Sequence, residues 1–379
     1  MFLFERLFGV TVYIFFLILF CFLLWKSDES AIGRILFAYS VVLSIMAYFY
    51  VPYKTDDLYR IYNLIDYLKK FTFRQVLNNV GQVSEGFGRI YYWIFAQIGM
   101  PRLLPIFNCF ICFNCIFYII GSTAKRFKIS GGNVALVLFF YMSSSTFMSI
   151  IGGIRCMLGV SLLTFCFYRE FIENKFSILH VPLYLIACAV HSFVAILAVV
   201  SLFVRIFDVK IKKKVRLVYI LFLTFLSVMA FIYMRGYIEK IFDKVTFYFT
   251  RVVYTYVWEY IVAIVAGLVI CSVIVKSKNL VNDLGFYGWR LYLLLCMLIG
   301  IGFCYEFSIF YRSVMHISTI LCLPVMMLLF REETTPINKV MAVSEKHISY
   351  RTIIFLTSLL LLFLSCSRGY LCSLKFFIL

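Results

Sequence analysis

The sequence predicts an all-α polytopic membrane protein with about twelve transmembrane helices, counted by the length a bilayer span requires. Three observations lead there. Hydrophobic residues make up 64% and charged residues 14% of the 379, against roughly 45–50% and 25% in ordinary globular chains, so the surplus apolar surface has no place in water. Apolar runs long enough to cross, or to cross as half of a tight hairpin, recur along the whole length. The net charge of +18 sits between those runs and forms no basic domain or arm, which sets nucleic acid aside as a partner.

The first run, 7–25, is followed by no small-residue cleavage site and reads as a retained span. Further windows lie at 35–51, 104–121, 132–151, 154–168, 178–190, 192–204, 217–234, 256–275, 289–305, 311–330 and 352–366. Between the second and third stands an outer-facing segment, 52–102, with interfacial helices. Its stretch 87–99 is too short for a confident crossing and reads as interfacial or re-entrant. The chain 1–379 is taken as a single transmembrane domain, with 331–351 as a cytoplasmic connector loop.

Orientation follows from the cations. Six Lys and Arg fall in Arg205–Arg216, and Lys125, Arg126 and Lys128 form a second cluster, so both should face the cytoplasm. The run 178–204 then has basic loops at both ends, which one crossing cannot satisfy and a hairpin can. Its turn falls at His191, on the outer side. The long outer segments 52–102 and 235–255 nevertheless keep seven and four cations, and cations of that kind are candidates for binding an anion or touching lipid headgroups.

In the outer segment, Thr55 or Asp56 is a good N-cap, and Leu58, Ile61, Ile65 and Leu68 repeat at helical spacing, giving a helix that lies on the membrane. Asp56 and Asp57 precede Arg60 by four and three residues. That spacing suits an intrahelical ion pair and equally a sugar-phosphate site at a membrane mouth. Glu85 and Arg89 stand beside Tyr91, Tyr92 and Trp93, and aromatic faces with a carboxylate can hold a sugar ring. The same residues also suit an interfacial aromatic belt.

Arg155 follows Gly152 and Gly153 inside apolar sequence, where a cation at mid-membrane costs about 2.5–3.5 kcal/mol. A glycine break that brings it to a wet mouth avoids that cost. Arg312 repeats the pattern in an aromatic stretch with Glu306 nearby. Two guanidinium groups on the same predicted face fit diphosphate, because each offers paired donors to phosphate oxygens. His191 stands at a helix junction. His180, His316 and His347 have weaker claims on chemistry.

Cofactors are not expected. Cys109, Cys112 and Cys115 recur every third residue, but nothing nearby supplies a fourth metal ligand, and most of the thirteen cysteines lie in apolar runs as small hydrophobes. No HExxH spacing and no Gly-rich nucleotide loop occurs.

Taken in order, TDDLYRIY, SEGFGRIYY, GGIRCMLGVSLL, a short span ending in AVHSF, and FYRSVMH resemble the EpsG family and the wider Wzy-type polymerases of bacterial polysaccharide repeat units, over roughly residues 35 to 330. Cys156 stands where the family often has glutamine, and SEGF lacks the proline common in the corresponding run. The resemblance implies a GT-C-like helical bundle in the bacterial cytoplasmic (inner) membrane, with an outer-facing cavity. It implies transfer of a growing glycan from undecaprenyl diphosphate to a new lipid-linked repeat unit, yielding O-antigen, capsular polysaccharide or exopolysaccharide. On that likeness Arg155, Arg312 and Arg60 hold the diphosphate, and His191 or Asp57 takes a proton from the acceptor. Glu85, Tyr91, Tyr92 and Trp93 touch sugar. Its partners would be the lipid-linked glycan donor and acceptor, membrane lipids, a flippase and a chain-length regulator. The competing reading is a lipid-linked oligosaccharide flippase; a third is a ligase or monosaccharide transferase with another acceptor.

Overall fold

Uninterrupted apolar sequence becomes the long helices. The computed structural model describes residues 2–54, 56–80, 86–144, 146–175, 177–206, 217, 220–221, 224, 284–302, 312–313, 316–328, 330 and 340–367. The N-terminal half of the chain begins with α1 (Phe2–Trp25), α2 (Glu29–Phe49), α3 (Asp57–Leu68), α4 (Phe73–Val80) and α5 (Gly86–Ile98). It continues through α6 (Leu103–Phe127), α7 (Gly131–Ser143), α8 (Thr146–Gly152), α9 (Ile154–Phe171), α10 (His180–Val190) and α11 (Ser192–Ile206). After these come α12 (Leu284–Gly302), a π-helical turn His316–Leu321, α13 (Cys322–Leu328) and α14 (Val340–Ser367). The described residues are helical or in turns, with no strand among them.

Within α1, residues Leu7–Trp25, together with α2 and α6, are long and apolar enough to cross a membrane, and the bent pair α7–α8 makes a fourth if counted as one span. At 1.5 Å per residue α10 is roughly 16 Å long and α11 roughly 22 Å, each short of a hydrocarbon core of about 30 Å. The expected windows 217–234 and 256–275, and the cations of 235–255, lie outside the described residues. Within 331–351, residues 340–351 form the first turns of α14, where no glycine or proline after Pro336 interrupts the helix.

Two compact units emerge, each drawing on separated segments: Met1–Lys70, Tyr92–Phe165 and Thr319–Leu379 in the first, Phe71–Tyr91 and Cys166–Ser318 in the second. In the first, α2 packs along α6, α1 along α7, and α14 lies against α7. Tyr39 of α2 stacks between Phe20 of α1, at 4.4 Å between ring centroids, and Phe117 of α6, at 5.7 Å. The approach of α1 to α7 depends on Gly131, where a Cβ would run into the Leu24 carbonyl and lie 2.8 Å from that of Ser27. The end of α6 is fixed by Lys128 in the left-handed region (φ 52°), whose N–H reaches the Ala124 carbonyl, and Lys125 and Arg126 in its last turn favour the negative end of the helix dipole.

The span expected at 132–151 is broken. α7 and α8 meet at 49°, where a run of hydroxyl residues competes with the backbone for hydrogen bonds. A break in apolar surroundings must satisfy the carbonyls it releases, and side chains at the break and on distant helices do so. Ser144 and Thr146 donate to the Tyr141 carbonyl, Tyr13 to that of Met142 at 2.7 Å, and Ser365 to that of Ser143 at 3.1 Å. Asn108 of α6 donates to the Ile150 carbonyl at 2.9 Å. The bend is thereby held at a fixed angle, and it delivers the chain to Gly153 and the start of α9.

In the second unit, α10 and α11 form the hairpin the basic flanks required, turning at His191, and α11 packs against α12. Gly288 of α12 admits the ring of Phe171, which a Cβ would strike. Phe167 fills the space beside it, with centroids 5.4 Å from Trp289 and 4.3 Å from Tyr292.

Candidate functional site

Arg155 occupies the first turn of α9, immediately after the glycine break. It is half-buried, and its guanidinium lies over the ring of Tyr92 on α5, 5.7 Å from the centroid. Tyr92 is itself buried, so the ring is a fixed platform. Two residue types expected from separate motifs, an arginine for diphosphate and a tyrosine for sugar, therefore meet within the first unit. A cation at a helix N-terminus opposes the macrodipole. The Arg155 guanidinium presents paired donors of the kind that suit phosphate oxygens.

Tyr91 and Trp93 flank Tyr92 on α5 and are half-buried. Glu85 lies outside the described residues, as does Glu306. Arg312 is described and exposed. It belongs to the second unit.

Asp57 opens α3, and its carboxylate takes a hydrogen bond from Arg60 at 3.3 Å, both side chains being exposed. This is the intrahelical pair that the spacing suggested, worth about 0.3 kcal/mol at such a surface. Asp56 behaves differently from expectation. It holds the N-cap position of α3 but makes no side-chain cap bond; its carboxylate turns back to accept from the Tyr50 hydroxyl and the Tyr53 N–H, both at 2.8 Å. Asp57 is thus the residue of the two paired with Arg60, because Asp56 is drawn to the donors of Tyr50 and Tyr53 just before it in the chain. Leu58, Ile65 and Leu68 are buried along α3 and Ile61 is half-buried. Burial pushes the Tyr62 hydroxyl of this helix well above its ordinary range, against the opposing pull of Arg102, so the phenol stays a proton donor.

His191 caps α10 in extended backbone (φ −152°), and its Nδ1 accepts from the Phe193 N–H at 3.2 Å. It therefore serves as the side-chain cap of α11. In the neutral ring this bond leaves the proton on Nε2, which makes Nε2 a donor. Taking a proton on Nε2 as a base requires the other tautomer, which loses the cap.

A buried polar cluster that the motifs did not reveal ties the base of the hairpin. Glu170 of α9 accepts from His180 Nδ1 at 2.9 Å, from the Tyr184 hydroxyl at 3.2 Å and from Arg205. Arg205 also donates to the Tyr184 oxygen at 2.6 Å. The side chains of Glu170, His180 and Arg205 are only 6%, 2% and 9% exposed. Arg205, expected to be a loop cation, is instead a buried ion-pair partner, since α11 runs to Ile206 and carries it inward. The signal available in the sequence was the spacing of His180 and Tyr184, four apart on one helix face, with a carboxylate and a guanidinium each closing an adjacent apolar run.

Cys109, Cys112 and Cys115 are buried on α6, and no group of three metal-ligating side chains occurs among the described residues. Comparison of the chain with protein-family models, with curated proteins and with solved structures finds no match.

Proposed function

We propose that this chain is a glycosyltransferase that polymerises undecaprenyl-diphosphate-linked repeat units at the outer face of the bacterial cytoplasmic membrane, built as a GT-C-like bundle of about twelve crossings. The order of its motifs, which resembles Wzy-type polymerases, supports the reading. The observation that carries it is Arg155 in the first turn of α9 above the Tyr92 ring. A lipid-linked donor carries an anionic diphosphate, and the guanidinium lying over the Tyr92 ring has paired donors that suit that group.

In this mechanism Arg155 binds the diphosphate and stabilises the charge that develops as the bond to the sugar breaks. Arg312 and Arg60 are the further guanidinium groups the resemblance assigns to the lipid diphosphate. A general base takes the proton of the acceptor hydroxyl, its oxygen bonds to the anomeric carbon, and the bonding pair of the old linkage leaves with the diphosphate. The resemblance gives the base role to His191 or Asp57; the cap that His191 makes to α11 favours Asp57 of the two. The bond exchanged is already activated, so no nucleotide is consumed.

The test is Arg155→Lys, expressed in cells deleted for the gene. It keeps the charge and loses the paired donors, and the surface polysaccharide should fall from a ladder to single repeat units at unchanged protein level. An unchanged ladder removes Arg155 from the site. Deletion itself separates this function from a flippase: one repeat unit retained on the surface means a polymerase, whereas loss of all surface glycan with lipid-linked units trapped inside means a flippase.

A further inference from the structure

We infer that His316, with Ser313, is the site that receives the acceptor hydroxyl, and that His316 is the general base. This rests on the polymerase reading and replaces the base that the resemblance assigned. His316 is 2% exposed and Ser313 1% exposed. Among the described residues neither ring nitrogen of His316 has a hydrogen-bond partner, and the same holds for Ser313 Oγ. Folding normally pairs such groups, because an unmade bond in a dry interior costs far more than a made one returns. Two residues left in this state three positions apart in the chain mark a place where a ligand supplies the missing bonds.

The backbone is specialised at the same point. His316 heads the π-helical turn His316–Leu321; π-turns re-aim a side chain at the expense of helix regularity and recur at functional sites. The Tyr292 ring stands edge-on to the imidazole, 6.1 Å between centroids at 78°, which holds the ring plane without using either nitrogen. Gly300 lets α12 approach, since a Cβ there would sit 3.2 Å from that of Ser313. The arrangement is braced by apolar and ring contacts while its polar atoms are left for something else. His191, by contrast, already spends Nδ1 on a cap.

The chemistry identifies the ligand class. Neutral imidazole presents one donor and one acceptor, and the serine hydroxyl presents both. Of the groups on a lipid-linked substrate, an alcohol matches this set, and an ionised diphosphate diester does not, since it has no proton to donate to the bare ring nitrogen. Within the polymerase reading, a sugar hydroxyl is the group that fits. Its proton passes to that nitrogen, its oxygen bonds to the anomeric carbon, and the bond from that carbon to the diphosphate oxygen breaks with its electrons on the leaving group. The imidazolium then returns its proton to the released diphosphate. Arg312, four positions before His316 in the chain and exposed, suits the anionic side of the reaction.

The experiment uses the full chain in cells deleted for the gene, with three variants read on one gel and purified for thermal unfolding. His316→Phe fills the ring volume without nitrogen. It should accumulate normally, unfold at or above the wild-type temperature because two unpaired polar atoms are gone, and lower polymerised product at least 100-fold. His316→Asn, which keeps polar character and cannot take the proton, should fold and lose the ladder as well. A wild-type ladder from either variant overturns the proposal. Arg155→Lys run beside them separates the two failures: ladder loss there with a full ladder in His316→Phe leaves a polymerase and removes His316, whereas a wild-type chain that restores no ladder removes the polymerase reading itself.

Discussion

Replacing Glu170 with alanine should be the most damaging single change in the described part of the second unit. Its carboxylate is the common acceptor for His180, Tyr184 and Arg205, and the side chains of Glu170, His180 and Arg205 are at least 91% buried. Alanine leaves the Arg205 guanidinium inside the protein without its counterion. Removal of one member of a buried pair costs about 3–5 kcal/mol, most of it the isolated partner's desolvation. Removing both members should therefore cost much less: Glu170→Leu combined with Arg205→Met is expected within about 1–2 kcal/mol of wild type, for a coupling above about 2 kcal/mol. At about 2–4 °C per kcal/mol for a chain of this size, the single variant should unfold roughly 10 °C earlier. The measurement is thermal unfolding of the full-length protein in nanodiscs, followed by tryptophan fluorescence, which reports on the buried Trp289. A fall of less than about 2 °C, or a double variant no better than Glu170→Ala, would refute the claim that these groups are energetically one unit.

Two further outcomes can be checked in the same assay. Gly131→Ala forces α1 and α7 apart at the Leu24 and Ser27 carbonyls and should cost about 1–3 kcal/mol as an overpacked contact, visible as a lower unfolding midpoint. At His191, alanine loses the cap on Phe193 N–H and should cost about 1 kcal/mol, while asparagine, a strong capping residue, should recover it. Equal midpoints for the two would show that the cap contributes nothing.

Several elements were legible because they depend on neighbours in sequence. The apolar periodicity of α3 puts Leu58, Ile65 and Leu68 inside. The basic flanks of 178–204 located the turn at His191, since charge asymmetry and length leave a hairpin as the economical solution. The glycine break before Arg155 was visible for the same reason. What composition could not supply is which distant residue answers a given polar group. Arg205 looked like one more cytoplasmic cation until Glu170, 35 positions earlier, was found against it. The α7–α8 bend looked like a continuous span, because its freed carbonyls are answered by Tyr13 and Ser365, 129 and 222 positions away.

The sequence by itself determined that this is a helical membrane protein, that cations recur between its apolar runs, and that Arg155 begins a helix after a break. These are consequences of local patterning and of transfer free energy, which act residue by residue. Only the tertiary structure decided that Arg155 lies over Tyr92, that Asp56 turns away from Arg60, and that His316 is buried with its nitrogens unspent. Hydrogen bonds and ring contacts are short-range and directional, so they depend on where helices far apart in the chain bring their faces together.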